Sequence, residues 1–285
     1  MPAGGTDVGR TGRLYIVSTP IGHLGDLTHR AVEVLGAVDL IIAEDTRHSR
    51  VLLDHYAIRT KTSSYHEHNE ARSVPRLLER LAAGERIALI SDAGTPVLSD
   101  PGARIVRAAV EAGIPVEPVP GASALLAALV AAGLTGTDGR FTFYGFLPRK
   151  GRERGEALAE IVASRYLTIM YEAPGRVGDL LGDLVRAGAG ERPAAVAREL
   201  TKQFEEIRRG TLGELAAYYA DQAPRGEVVV LVEGAVPAVV DEDTLRARVR
   251  ALRDDGVSAR EIVKALTEVD GAPRNLAYRL AHEEP

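Results

Sequence analysis

The sequence predicts an α/β protein whose first part is a doubly wound parallel sheet. Two observations carry that expectation. Short apolar runs alternate with helical patterns from residue 14 to residue 119, as in strands paired in parallel through helical crossovers. Two loops rich in Gly and Pro, 18–26 and 91–102, each follow an apolar run directly. Open α/β sheets bind ligands at such carboxyl ends of strands. Neither loop carries G-x-x-x-x-G-K-[ST] or a well-placed G-x-G-x-x-G, so a ligand there is held by another device.

The elements follow in order. Residues 1–12 are small and polar, lack the apolar stretch of a signal peptide, and read as a disordered tail. Strands are expected at 14–17, 39–43 and 86–90, with helices at 28–37, capped by Thr28, and at 73–83. Asp100-Pro101 reads as a helix start, Asp capping free amides and Pro fitting the first turn, with the helix ending near Ala112. A strand at 116–119 and a turn at Pro120-Gly121 lead into an apolar helix at 122–132. The expected domains are 13–119 and 120–236. In the second, strands are expected at 141–146, 166–171, 194–199, 204–209 and 227–232, the third and fourth joined as a hairpin in a partly antiparallel sheet. Residues 237–285 read as a helical module, with short helices at 241–253, 258–266 and 274–281 parted by Gly256 and Gly271, similar to a small helix-turn-helix.

With 285 residues the chain is long enough for two cores. It has no cysteine, which excludes disulfides, thiolate-ligated metal and a thiol nucleophile, and fits a cytoplasmic protein. The longest apolar stretch, 122–134, is shorter than the roughly 20 residues of a membrane span, so no membrane is expected. A net charge of −5 argues against nucleic-acid binding over the whole surface and leaves room for a local basic patch.

The ordered segments T-P-I-G-x-L-x-D, A-E-D-T-R, Y-H-E-H-N, S-D-A-G-T-P-x-x-S-D-P-G, V-P-G-x-S-A, Y-G-F-L-P, Y-E-A-P-x-R and A-R-E-L-T-K-x-F-E resemble the ribosomal RNA small-subunit methyltransferase I family of the tetrapyrrole-methylase superfamily. The resemblance runs from about residue 14 to residue 234 and includes the helical tail. It implies a two-domain class III methyltransferase fold with S-adenosylmethionine in the interdomain cleft. It further implies 2′-O-methylation of a cytidine in the decoding region of 16S rRNA, met within the small ribosomal subunit, and a homodimer.

The resemblance also assigns residues. Pro20, Asp92, Ala93, Gly94, Thr95, Pro96 and Leu98 would meet the cofactor, the small residues allowing close backbone approach and Asp92 binding a hydroxyl or amino group. Ser123 and Ala124 would lie against it at a helix start whose free amides suit a carboxylate. Tyr171 and Glu172 would form the second-domain wall, although Tyr171 equally suits a core aromatic. On the chemistry of the side chains, not the resemblance, Asp45 would orient or deprotonate the attacking hydroxyl, with Lys202, beside Glu199, stabilising the alkoxide. The plain alternatives are a helix cap for Asp45, a solvated Arg47 and a salt-bridged Lys202.

Arg47, His66, His68, Arg149 and Lys150 are candidate substrate contacts. His66 and His68 share a face if their segment is a strand, but no third ligand accompanies them, and no metal is expected. The run from Arg149 to Arg154 can hold phosphates, with a solvated helix start as its rival. Two other functions remain open at this point. One is a methyltransferase of the same fold acting on a tetrapyrrole or other small molecule. The other is a non-enzymatic ribosome-binding protein.

Overall fold

Five short strands, β1 (Arg13–Val17), β2 (Leu40–Ala43), β3 (Thr62–Ser64), β4 (Arg86–Ile90) and β5 (Val116–Val119), form a wholly parallel sheet in the order β3-β2-β4-β1-β5. The computed structural model describes residues 12–134, 139–235 and 241–283. The tail expected at 1–12 lies outside these residues, Gly12 apart, as does the boundary expected at 236.

Helices cover both faces of this sheet, because a parallel sheet is apolar on both sides. They are α1 (His29–Ala37), α2 (Thr46–His55), α3 (Glu70–Ala82) and α4 (Ala103–Glu111). Adjacent residues of β2 enter opposite cores, as a strand's period of two requires. Ile41 packs with Val17, Leu35 and Ile90, whereas Ile42 packs with Leu14, Leu81 and Ile105. Thr28 caps α1 as expected, its hydroxyl accepting from the Ala31 amide at 3.1 Å.

The second sheet contains β6 (Phe141–Phe146), β7 (Leu167–Glu172), β8 (Pro193–Arg198), β9 (Glu206–Thr211) and β10 (Val228–Val232), in the order β6-β7-β10-β8-β9. Only β6 and β7 are parallel, and β8 and β9 form the expected hairpin. On one face lies α5 (Ala124–Ala132), whose Leu125 and Ala128 pack with Ile169, Ala195 and Leu231. On the other lie α7 (Val177–Leu184) and α8 (Leu212–Ala220), with Met170, Val196 and Val230 beneath them. Between β6 and β7 runs α6 (Arg152–Ala163). Three helices complete the described chain, α9 (Glu242–Asp254), α10 (Ala259–Glu268) and α11 (Arg274–His282). No helix among the described residues is long and apolar enough to cross a membrane.

One expected helix start is corrected. Asp100 does not cap α4, which begins at Ala103 with Gly102 as its flanking residue and no side-chain cap. The chain instead makes a tight passage through Val97 (φ +77°) and Ser99 (φ +66°). The Gly102 amide donates to the buried Glu70 carboxylate at 2.8 Å. Gly102 is required there. It sits at φ +136°, and a Cβ would fall 2.6 Å from Leu89 Cδ2 and 3.0 Å from Val97 Cγ2. Gly102→Ala is therefore expected to lower unfolding free energy by about 1–3 kcal/mol, read from the denaturant midpoint. An unchanged midpoint would show that the passage relaxes freely.

Candidate active site

Three loops at the carboxyl edge of the parallel sheet are knitted together by backbone and hydroxyl groups. Thr19 and Gly94 exchange amide–carbonyl hydrogen bonds of 2.8 and 3.1 Å, so the loop after β1 is stitched to the loop after β4. The Thr95 hydroxyl donates to the Ala122 carbonyl at 3.1 Å and shares a 3.0 Å hydrogen bond with Ser18, which draws in the loop after β5. At Gly121 a Cβ would lie 2.9 Å from Ser18 Cβ, so only glycine permits that approach.

These loops floor a cavity of about 290 Å³ between the two sheets. All the cofactor residues assigned from the sequence line it except Pro20 and Pro96. The first lobe supplies Asp92, Ala93, Gly94, Thr95 and Leu98, and the start of α5 supplies Ser123 and Ala124. The second sheet closes it with Tyr171, Glu172 and Phe146. Tyr171 packs edge-on against Phe143 and Phe146, and its hydroxyl accepts from the Leu125 amide at 3.2 Å. Phe146 remains 54% exposed, an aromatic face left bare at the cavity wall. Glu172 is buried and paired to Arg176 at 2.5 Å, yet its Oε2 has no partner among the described residues. Arg176 Nη1, in the same buried ion pair, is likewise without a partner.

A second cavity, of about 360 Å³, shares Ile21, Asp92, Ala93 and Glu227 with the first and holds Pro20 and Lys202. The Lys202 ammonium donates to Glu199 Oε1 at 2.9 Å and to Glu227 Oε2 at 3.1 Å. Burial pulls the lysine down, but these two bonds outweigh it and hold the ammonium above its ordinary value. The bond from Lys202 in turn holds Glu199 below the usual carboxylate range. Gly22 packs against this lysine, since a Cβ there would sit 2.4 Å from Lys202 Cγ. Left-handed backbone at Val97, Ser99, Glu199 and Thr201 flanks both cavities. Strain of this kind, of order 1–3 kcal/mol per residue, gathers where side chains must be aimed.

Several expected site residues lie elsewhere. Asp45 lines neither cavity. Its carboxylate caps α2 through the Arg47 amide at 2.8 Å and pairs with the Arg47 guanidinium, which holds it down to about 2. The helix-cap alternative therefore describes this carboxyl, and a group so acidic accepts protons poorly. Arg47 is exposed on α2. His66 and His68 follow the end of β3 on a turn, so they do not share a strand face, and their ring centroids are 6.0 Å apart. Arg149 and Lys150 are exposed before α6, whereas Arg152 pairs with Glu156 and Arg154 turns inward to Asp183. That run is thus a helix start with two exposed basic side chains ahead of it.

Asp100 was missed as a site residue. It lines the first cavity instead of capping α4. Burial, then the charges of Glu44 and Asp92, push its carboxyl up to about 7, against a hydrogen bond from Ser91. Glu227, read only as the start of a strand, and Phe146 complete the walls. Their one sequence signal is position, at or beside strand ends facing the two glycine loops.

Two α/β lobes enclosing a glycine-floored, partly acidic cleft define a ligand-binding protein of the two-domain α/β class. The family model of the tetrapyrrole (corrin/porphyrin) methylases matches residues 13–216. Solved structures share the fold. A cobalt precorrin-4 methyltransferase superposes with TM-score 0.61 at 19% identity, over 81% of this chain and 98% of its own. Uroporphyrin-III C-methyltransferase from Thermus thermophilus, complexed with S-adenosylhomocysteine, gives TM-score 0.56 at 21% identity, over 77% and 97%. Ribosomal RNA small subunit methyltransferase I of Synechocystis sp. is 46% identical over 275 residues, covering 95% of this chain and 98% of the relative. Its namesake in Escherichia coli O157:H7 is 43% identical over 275 residues, covering 96% of each. The chain belongs to the ribosomal RNA small subunit methyltransferase I family.

Proposed function

We propose that this enzyme transfers the methyl group of S-adenosylmethionine to the 2′-hydroxyl of a cytidine in the decoding region of 16S rRNA. The end-to-end likeness to relatives of that name carries the reading. The cavity supports the donor. Its carboxylate at Asp92 suits a cation, and Phe146 suits an adenine ring. When bound, the donor's sulfonium supplies an electrophilic methyl group.

The chain's own residues then act on the acceptor. Lys202, oriented by Glu199 and Glu227, stabilises negative charge developing on the ribose oxygen. Asp100 takes the proton in place of Asp45, since it lines the cavity and is poised near neutral pH. Arg149 and Lys150 remain candidates for phosphate contacts. The apolar outer side of α5, with Leu126 51% and Val130 83% exposed, supports pairing of two copies. An acidic protein acting on RNA is consistent with a shaped target, the assembled small subunit in the cytoplasm.

Incubation with methyl-labelled donor and small ribosomal subunits tests this reading. Label at one cytidine 2′-oxygen is expected, and label confined to a tetrapyrrole or absent altogether defeats it.

A further inference from the structure

The chemistry above uses nothing from α9, α10 or α11. Their buried residues, Leu245, Val249, Ile262, Leu266, Ala277 and Leu280 among them, form a core of their own, separate from the clusters of both sheets. What the module offers is a surface. Helix α11 buries Ala277, Leu280 and Ala281 and turns Arg274, Asn275, Tyr278, Arg279 and His282 outward. Arg274, Tyr278 and His282 recur every four residues and so fall in one row.

That row is built, not merely exposed. Tyr278 is 60% exposed, yet its ring stacks on His282 with centroids 4.2 Å apart and planes at 26°. The His282 Nδ1–H donates to the Tyr278 carbonyl at 2.9 Å, which fixes the second ring. Helix α11 carries two arginines and no acid. Arg279 pairs with Glu242 at 2.9 Å, whereas no carboxylate among the described residues forms an ion pair with Arg274. A pre-stacked aromatic pair beside an unpaired guanidinium suits unpaired bases and their phosphates. The row holds no aliphatic side chain, unlike the apolar centre of a protein–protein contact. The net charge of −5 makes such a local foothold necessary for an RNA ligand.

We infer that the outer face of α11 is a second RNA contact, stacking unpaired bases of the ribosomal RNA on Tyr278 and His282 and seating a phosphate on Arg274. This rests on the ribosomal RNA reading above.

The test uses the full chain with assembled small subunits and with naked 16S rRNA. In Tyr278→Ala the KM for subunits is expected to rise about tenfold while kcat and calorimetric donor affinity hold, with Tyr278→Phe retaining wild-type behaviour. Arg274→Glu is expected to weaken binding of both RNA forms and to reduce the salt slope by about one, with Arg274→Lys recovering most of it. Folding is checked by thermal unfolding, and His282→Ala serves if Tyr278→Ala is unstable. Unchanged KM in well-folded variants overturns the inference. So does a loss on assembled subunits with none on naked RNA, because the face would then meet a ribosomal protein. If the unmutated chain methylates nothing, the functional reading fails alone, and binding of 16S rRNA by these variants still decides the role of α11.

Discussion

Asp100→Asn is expected to slow methyl transfer by about 10²–10⁴-fold at neutral pH, the range for removing a general base. In the wild type, kcat/KM should climb as pH rises through about 7, where this carboxyl ionises, and the climb should vanish in the variant. Stability gives an independent sign. The folded carboxyl holds its proton up to about 7, whereas the unfolded one releases it near 3.8. Between those values the folded state binds more protons, so stability falls as pH rises through the window. Asparagine carries no such liability. The variant is therefore expected to melt higher than the wild type at pH 8 and to converge with it below pH 4, as read by thermal scans. An unchanged pH–rate profile rules out Asp100 as the proton acceptor.

Lys202→Ala is expected to reduce kcat by about 10²–10³-fold, comparable to losing a preorganised charge donor at a developing oxyanion. Its ammonium stays charged across the working range, so it stabilises an anion and does not accept a proton. Its removal leaves Glu199 and Glu227, the latter lining the second cavity, without their shared cation. Lys202→Arg should recover little, because a planar fork cannot replace a compact charge seated against Gly22. Single-turnover transfer at saturating donor isolates the effect. An unaltered single-turnover rate would reduce Lys202 to a surface ion pair.

Much of the fold was legible because both cores announce themselves in apolar runs. The strand at 228–232 is all Val and Leu, and those at 14–17 and 86–90 are mostly Leu, Ile and Val. What escaped was polar. Strand β3 is Thr-Ser-Ser at a sheet edge, and α2 interleaves Arg, His and Asp with a single buried stripe at Ser49, Leu52 and Leu53. The donor loops were legible through glycine and proline, but their acid was not. Locally, Asp-Pro is a good helix start; only the left-handed turns at Val97 and Ser99 redirect Asp100 toward the cavity. For Asp45 the opposite holds, since a local cap describes it and a distant role does not. Glu172 was carried by family likeness alone, because a carboxyl ending a buried strand gives no sign of the oxygen it leaves unsatisfied.

The paired amide–carbonyl bonds between Thr19 and Gly94 constrain how the enzyme breathes. Both partners sit on one lobe and clasp each other, so that lobe is a fixed anvil. The start of α5 is held from both sides, by Thr95 at the Ala122 carbonyl and by Tyr171 at the Leu125 amide. A ligand therefore meets a floor already set in shape, and less chain has to be ordered when it binds.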